Sequence, residues 1–293
     1  MQHMKSPLRI LEISIPHATH EGTIHAAMGL PRQIAAGGFN AVFVLPWMKV
    51  NRALSLSPYA CTDYLDVNDT LGTVDDARQW INQCHSAGLR VVLDMPLNHT
   101  SPAHKWANNK TWYCRDDTGR VITPKATSWY DVVQLDHTNS AAVQECAEVL
   151  RFWVNLGADG FRFDAASFIP DAVLKDWMSF IQRIARRDLL LWCDGEEYAQ
   201  SRPFFNGYLN HEAFKLAKSN PEGWEERVRK TSNDAIFYLT NHDTLHAGNC
   251  PNDEWPGVYQ RMRSKLECSE QHVMQSWSEW KDPASRYSFM LEK

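Results

Sequence analysis

A chain of 293 residues can form one barrel-sized domain or two small ones. Its apolar residues make up 44% and its charged residues 22%, which is ordinary for a globular protein. The net charge of -5 argues against a nucleic-acid or anionic-membrane surface as a partner. No apolar run approaches the roughly 18 residues of a membrane span.

The seven cysteines stand singly along the sequence, without a CxxC pair. This pattern is typical of reduced thiols rather than of a disulfide framework, and its spacing disfavours a zinc site. The first seven residues lack the apolar core of a signal peptide. We therefore expect a cytoplasmic location.

Short apolar strands alternate with helices along most of the sequence. The strands are predicted at 8–15, 41–45, 90–94, within 157–166, and at 189–193, 205–209 and 235–239. The helices are predicted at 26–37, 73–87, 140–156, 171–186, from about 212, and in a further segment to 229. Repeated βα units with doubly buried strands predict a parallel sheet, either a (β/α)8 barrel or a doubly wound sheet.

Charged residues at the ends of several predicted strands choose between these two folds. They are Asp94, Arg162, Asp164, Glu196 and Asp243. Spreading charged groups over one rim is typical of a barrel active site, and no GxGxxG follows the first strand. We therefore predict an α/β fold of the (β/α)8 TIM-barrel type, in a single domain spanning 1–293.

The stretch GADGFRFDAA at 157–166 predicts a strand with two different faces. Because side chains alternate along a strand, Arg162 and Asp164 share one face while Phe161 and Phe163 share the other. This is typical of a barrel strand whose aromatic side chains pack under outer helices and whose polar side chains line the mouth. The alternative is a helix-covered strand with one buried ion pair.

Three carboxylates that meet at one barrel mouth would repel each other. At least one of Asp164, Glu196 and Asp243 would then hold its proton to a raised pH, which suits a general acid. Arg162 beside Asp164 would keep that carboxylate ionised and nucleophilic. One ionised and one protonated carboxyl group are the pair needed for glycoside hydrolysis. Carboxylates can also bind a metal, so a metal-dependent hydrolase remains an alternative.

Several motifs resemble those of the α-amylase family of glycoside hydrolases, in that family's order. They are DMPLNH (94–99), QLD (134–136), GFRFDAA (160–166), GE (195–196) and NHD (241–243), with PYACTDY (58–64) similar to a Tyr-containing segment. The resemblance covers roughly residues 8–245. It implies a retaining α-glycosidase or transglycosidase that acts on short α-glucans or oligosaccharides.

The resemblance also implies roles for individual residues. Asp164 would be the nucleophile that forms a covalent glycosyl-enzyme, and Glu196 would be the general acid and then the base. Asp243 would stabilise the transition state. His99 and His242 would hydrogen-bond the reacting sugar.

Further residues would support this site. Tyr59 would stack on the sugar, Arg162 would hold Asp164 in position, and Asp94 would support the site from below. Asn98 matches a position that helps to bind a structural calcium in many relatives. No cofactor is required for the reaction itself, and calcium near Asn98 is the only metal that the resemblance suggests.

The sequence departs from the family pattern inside the barrel. A loop at 95–139 stands in place of the usual insertion domain. Phe168 occupies the place of a His four residues after the nucleophile, which argues against a calcium site and against a long-glucan endo-amylase. Glu197 could be mistaken for the acid, but strand alternation favours Glu196.

The C-terminal part departs more strongly. Residues 258–280 look helical, 287–291 could be a short final strand, and no sequence for a following β-sandwich is visible. We therefore expect an irregular or incomplete eighth βα unit, whose open edge could pair with another copy in a homo-oligomer. A non-catalytic carbohydrate-binding or assembly subunit built on the same fold is the alternative function.

Two further side-chain groups are open to interpretation. Trp106, Trp112, Trp129 and Tyr130 lie in the loop at 95–139 and could form a sugar platform or a small core. His85, inside a predicted helix, is expected to be a packed structural histidine.

Overall fold

A computed structural model of the protein describes residues 7–195, 202, 204–231, 234–238 and 272–276. The strands of this part of the chain are β1 (Arg9–Ile13), β2 (Ala41–Val44), β3 (Met48–Val50), β4 (Cys61–Val67), β5 (Arg90–Met95), β6 (His99–Thr100), β7 (Val133–Gln134), β8 (Gly160–Phe163), β9 (Leu190–Asp194), β10 (Gly207–Leu209), β11 (Ala235–Phe237) and β12 (His272–Ser276). Its α-helices are α1 (Ile15–Ala18), α2 (Leu30–Ala36), α3 (Val74–Ser86), α4 (Ser140–Leu156), α5 (Asp171–Ala185), α6 (His211–Ser219) and α7 (Pro221–Lys230).

Eight of these strands close into a parallel barrel. Their order around it is β1, β2, β5, β8, β9, β10, β11 and β12, and β12 pairs with β1 to complete the circle. The remaining strands form two small antiparallel sheets, β3 with β4 and β6 with β7. The predicted barrel is therefore confirmed and the doubly wound sheet is excluded.

The eighth strand lies where the sequence analysis placed a helix. β12 pairs in register with β1 and with β11, so the helix prediction over 258–280 is wrong at residues 272–276. Two buried polar residues, His272 and Gln275, interrupt the apolar run expected of a doubly buried strand. His272 is accommodated because its Nδ1 accepts a hydrogen bond of 2.8 Å from the backbone N–H of Leu8. The predicted final strand at 287–291 lies outside the described residues.

The closed barrel removes one reason for expecting a homo-oligomer. β12 is bonded on both sides, so the described barrel strands leave no open edge between β11 and β1. The oligomeric state itself stays a prediction.

Two layers of apolar side chains fill the molecule. Inside the barrel, Ile10, Phe43, Val92 and Trp192 belong to one buried cluster. Outside it, the opposite faces of the same strands pack against the helices in a larger cluster. This division follows from the alternation of side chains along each strand.

The strand β8 shows the two faces that its sequence predicts. Phe161 and Phe163 are fully buried in the outer layer with α5 residues such as Trp177, while Arg162 points into the barrel. Gly160 begins the strand because no side chain fits there: a Cβ would lie 1.9 Å from the carbonyl oxygen of Leu190. Close approach of β8 and β9 thus requires glycine.

An ion-paired cluster lies at the amino-terminal end of β8. Asp159, just before β8, accepts a hydrogen bond from the backbone N–H of Val91 at 2.9 Å. Its carboxylate also lies 2.8 Å from Nε2 of His85 on α3 and 3.3 Å from Nε of Arg187. His85 therefore ties a helix to the barrel, which is the structural role expected for it.

The segment 95–139 carries its own small sheet. His99 of β6 pairs with Gln134 of β7, and Thr100 pairs with Val133. The helix α3 is capped, as predicted, by Thr73, whose hydroxyl accepts from the N–H of Asp76 in a capping box.

None of the described helices is long and apolar enough to cross a membrane. The cysteines within the described residues, 61, 84, 114, 146 and 193, are free thiols.

Candidate active site

A single guanidinium group organises the carboxyl end of the barrel. Arg162 follows Gly160 on the inward face of β8, and its side chain is 3% exposed. Its Nη1 donates to Asp94 Oδ1 at 2.8 Å and lies 2.9 Å from Asp164 Oδ1. Its Nε and Nη2 donate to the two carboxylate oxygens of Asp194 at 3.0 and 2.7 Å. One cation thus faces three carboxylates.

Strand alternation explains how these groups meet. Asp94 lies two residues after the inward-facing Val92, and Asp194 lies two residues after the inward-facing Trp192. Because β5, β8 and β9 are neighbours, their inward side chains share one layer at the mouth. Burial opposes the charge on Arg162, but the carboxylates outweigh it and raise its pKa well above its usual value.

Asp94 links Arg162 to Tyr59. It is fully buried and receives the Tyr59 hydroxyl at 2.7 Å as well as the Arg162 guanidinium. Burial and the neighbouring Asp94 charge raise the pKa of Tyr59 well above its usual value, so this phenol stays a donor. The hydrogen bond fixes the Tyr59 ring beside the site.

Asp164 is one of two carboxylates that combine contact with Arg162 and access to solvent, and the other is Asp194, whose side chain is 26% exposed. The side chain of Asp164 is 15% exposed, against 0% for Asp94. Its backbone N–H donates to the carbonyl oxygen of Met95 at 3.2 Å, which extends the β5–β8 pairing to this residue. Ala165, directly after it, adopts a left-handed conformation with φ of 50°. Such strain in a non-glycine residue often accompanies a functional position.

Asp194 belongs to this cluster, although the sequence analysis did not select it. Burial raises its pKa, but the Arg162 guanidinium and His211 outweigh burial, so the net pKa lies well below the usual range. Nε2 of His211 lies 3.7 Å from Asp194 Oδ1. The available signal was its inward position at the end of β9, on the same face as the barrel core.

Asn98 lies in the turn from β5 to β6, and His99 is the first residue of β6. His99 is 2% exposed, and burial lowers its pKa to about 4, so the ring is neutral at pH 7. Trp129 covers the ring, with ring centroids 5.5 Å apart. Nδ2 of Asn98 lies 3.3 Å from Nδ1 of His99, and Nε2 of Gln134 donates to Asn98 Oδ1 at 2.7 Å.

The aromatic residues of the loop at 95–139 divide into two groups. Trp106 is buried against Tyr64 and Trp112, with centroid distances of 5.3 and 5.5 Å, and so belongs to a small core. Trp129 and Phe168 form an edge-to-face pair with centroids 6.2 Å apart, and each is almost 40% exposed. Tyr130 is 86% exposed. Only the second group has the exposed ring surface that a sugar platform needs.

The remaining predicted site residues are Glu196, His242 and Asp243. They lie outside the described residues, as does Glu197. Among the described residues, no group of three or more His, Cys, Asp or Glu side chains is arranged to hold a metal.

Comparison with known proteins agrees with this architecture. A family model for the catalytic domain of alpha amylase matches residues 34–131. The chain is 28% identical over 160 residues to alpha-amylase 3 of Dictyoglomus thermophilum, covering 45% of this chain and 31% of that protein. It is also 28% identical over 148 residues to an amino acid transporter heavy chain of Homo sapiens, covering 39% of this chain and 22% of that protein.

A solved structure extends the similarity to most of the fold. The crystal structure of an alpha-amylase from Lactobacillus plantarum matches with a TM-score of 0.79 at 18% identity, covering 92% of this chain and 70% of that chain. The matches to the two curated relatives span less than a third of either protein.

Proposed function

We propose that this member of the α-amylase family is a retaining α-glycosidase or transglycosidase acting on α-glucosidic bonds of short α-glucans. The observation that carries this proposal is the state of Asp164. Its carboxylate reaches the mouth of the barrel while Oδ1 lies 2.9 Å from an Arg162 guanidinium that two other aspartates hold. A nucleophile needs this combination of access, negative charge and fixed position.

Arg162 can position Asp164 because it cannot easily move itself. Asp94 and Asp194 together occupy its Nη1, Nε and Nη2 groups. The guanidinium stabilises negative charge on Asp164 without leaving the site, so less reorganisation is needed when the carboxylate reacts.

The reaction then takes two steps. Asp164 attacks the anomeric carbon while the bond to the leaving oxygen breaks, and Glu196 donates its proton to that oxygen. A water, or a sugar hydroxyl in a transfer reaction, next gives its proton to Glu196 and displaces Asp164 from the anomeric carbon. Asp243 stabilises the positive charge of both transition states. For this scheme the carboxyl groups of Asp164 and Glu196 should lie about 5–5.5 Å apart.

A neutral His99 suits such a transition state. Since its pKa is about 4, it can hydrogen-bond a sugar hydroxyl without adding positive charge beside an oxocarbenium ion. Trp129 covers His99, so this contact requires the indole to move aside when the sugar enters. We assign Trp129 and Phe168 to a hydrophobic platform for the sugar next to the scissile bond.

The decisive experiment is incubation with maltose, sucrose, trehalose and longer gluco-oligosaccharides, with and without phosphate. Products are separated by chromatography, and NMR reads the anomeric configuration of the first product. We expect cleavage or transfer with retention, and loss of turnover in Glu196→Gln with the fold intact. Inverted product, or turnover near the wild-type level in that variant, contradicts the mechanism.

One observation favours a second candidate, a non-catalytic carbohydrate-binding or assembly subunit. The similarity to a transporter heavy chain shows that related sequence occurs in a protein not named as a hydrolase. Saturable sugar binding without any bond cleavage over days would favour this candidate. The three carboxylates around Arg162 argue against this second candidate. Their mutual repulsion lowers the stability of the fold, which is not expected at a site without a function.

A further inference from the structure

The amide group of Gln134 lies among three carbonyl oxygens. Its Nε2 is 2.7 Å from Asn98 Oδ1, 3.1 Å from the backbone oxygen of Asn98 and 3.2 Å from that of Leu135. Gln134 is 9% exposed and Asn98 is fully buried, so water does not compete for these contacts. Three oxygens converging on one point are an arrangement that suits a cation.

Chemistry fixes which end of the amide faces these oxygens. If the amide were reversed, Oε1 would meet three acceptors and no donor, so the NH2 group must occupy this point. Oε1 is then buried without a hydrogen-bond partner among the described residues. The contacts of the NH2 group outweigh this unmet acceptor.

The same argument determines the hydrogen-bonding roles of the Asn98 amide and the His99 ring. Because Asn98 Oδ1 accepts from Gln134, the Asn98 amide turns its Nδ2 toward Nδ1 of His99, at 3.3 Å. Nδ2 is a donor only, so Nδ1 of the neutral imidazole is the acceptor and the ring proton is on Nε2. Gln134 therefore determines the tautomer of a histidine that it does not touch through its side chain.

We propose that the Gln134 amide takes the place of the cation beside Asn98 and, acting through Asn98, holds His99 in its Nε2–H tautomer. The calcium that the family resemblance suggested does not fit here, since the nitrogen already fills the point on which the oxygens converge. Gln134 is thus a positioning residue. The part of this inference that concerns sugar binding by His99 rests on the proposed function, and the tautomer itself does not.

The test uses Gln134→Glu, which has nearly the same shape but no donor. In chelator, its carboxylate would face three carbonyl oxygens, so we expect the melting temperature to fall by on the order of 5 °C. We also expect the Asn98 amide to reverse, which puts Oδ1 against His99 and moves the ring proton to Nδ1. Millimolar Ca²⁺ should bridge the carboxylate and Asn98, and so restore both the melting temperature and the Nε2–H tautomer.

Gln134→Met is the matched control. It also lacks the donor but offers no carboxylate, so it should be destabilised in chelator and gain nothing specific from Ca²⁺. Nitrogen-15 NMR of the histidine ring at pH 7 reports the tautomer without any need for glycosidase activity. Calcium bound elsewhere would shift all the proteins equally, so the readout is the difference between each variant and the wild type.

Several results would overturn the proposal. These are an Nδ1–H tautomer of His99 in the wild type, an unchanged tautomer in Gln134→Glu, and the absence of Ca²⁺ rescue in that variant. A wild type that gains as much from Ca²⁺ as Gln134→Glu does would also overturn it. If Gln134→Glu does not fold, the wild-type tautomer and the wild-type response to Ca²⁺ relative to Gln134→Met decide the question. Loss of sugar cleavage with the predicted tautomers would count against the proposed function instead.

Discussion

The strand β8 has an aspartate at each end, and the two are treated in opposite ways. Asp159, before the strand, is paired with His85 and Arg187 and accepts the backbone N–H of Val91. Asp164, after the strand, shares one guanidinium with two further carboxylates. Among the described residues, two basic side chains face one carboxylate at the first end, whereas one guanidinium faces three carboxylates at the second.

This difference separates a structural ion pair from a reactive site. Burial raises the pKa of Asp159, but the hydrogen bonds from His85 and Val91 outweigh it and leave the pKa below its usual value. Such a carboxylate stabilises the fold and has no reason to react. At the mouth, the excess of negative charge is costly for the fold, and a glycosidase would use it to stabilise a cationic transition state.

The largest expected effect is on turnover in Asp164→Asn. Losing the nucleophile should lower kcat by on the order of 10⁴-fold, because the covalent step no longer occurs. The free energy of unfolding should stay equal or rise slightly, since one of three repelling charges is removed. Steady-state kinetics and urea denaturation measure the two quantities. A stable Asp164→Asn variant with wild-type turnover would show that Asp164 is not the nucleophile.

Removal of the shared cation should have the next largest effect. Arg162→Met removes the cation that the three carboxylates at the mouth share, which should cost about 3–5 kcal/mol in the free energy of unfolding at pH 7. Arg162→Lys, which keeps the charge but not the fork of donors, is the control and should lose less. The deficit of Arg162→Met should shrink at low pH as the carboxylates take up protons. If Arg162→Met is as stable as the wild type, Arg162 does not stabilise the three carboxylates at the mouth.

A smaller loss is expected at the opposite end. Asp159→Asn should lower the free energy of unfolding by about 1–2 kcal/mol, because its partners are partly exposed and their attraction is screened. Since folding lowers the pKa of Asp159, its contribution is present above the unfolded pKa and is lost as the pH falls through the folded value. The kcat of the folded enzyme should not change. A large fall in kcat would show that Asp159 affects the active site at the other end of β8.

The effect that is smallest at pH 7 and grows only in acid concerns the stability of the segment beside the mouth. Burial lowers the pKa of His99 to about 4, of His104 to about 3, and that of His137 below its usual value. These histidines take up protons more readily when unfolded, so stability should fall as the pH drops from about 6.5 toward 4. The slope is up to about 1.4 kcal/mol per pH unit for each histidine.

His104→Asn is the matched change for this prediction. It keeps an acceptor for the N–H of Trp106, which the His104 ring now provides at 3.0 Å, but does not titrate. Urea denaturation between pH 4.5 and 7.5 should show a shallower slope in the variant. Hydrogen exchange should locate the loss in residues 95–139 and not around Asp159. Identical slopes would contradict the expected titration of His104.

Periodicity explains why so much of the barrel could be predicted from the sequence. The doubly buried strands β2, β5 and β9 contain the apolar runs AVFV, VVL and LLWC, and GFRF in β8 alternates as a two-faced strand must. β12 was missed because His272 and Gln275 are buried polar residues, and the backbone N–H of Leu8 that binds His272 is 264 residues away in the sequence. A local sequence pattern predicts a strand only where the buried residues are also the apolar ones.

The contacts of the site also fall into two groups, those that the local sequence predicts and those that it does not. Arg162 and Asp164 could be placed on one face from alternation alone, and Asp94 from its position at a strand end. The pairing of Asp194 with Arg162, the left-handed Ala165 and the contact of Gln134 with Asn98 depend on distances between separate segments. Such distances are set by the closed barrel and not by neighbouring residues.

The most direct test of the central claim is to trap the covalent intermediate on Asp164. A fluorinated α-glucosyl fluoride, which forms the glycosyl-enzyme faster than it releases it, is incubated with the protein, and the digested product is sequenced by mass spectrometry. We predict one added fluoroglucosyl group, formed with release of the anomeric fluoride, carried by the peptide at Asp164 and absent from Asp164→Ala. A label on Asp194, or steady cleavage of α-glucosides with no covalent adduct at Asp164, would contradict the account.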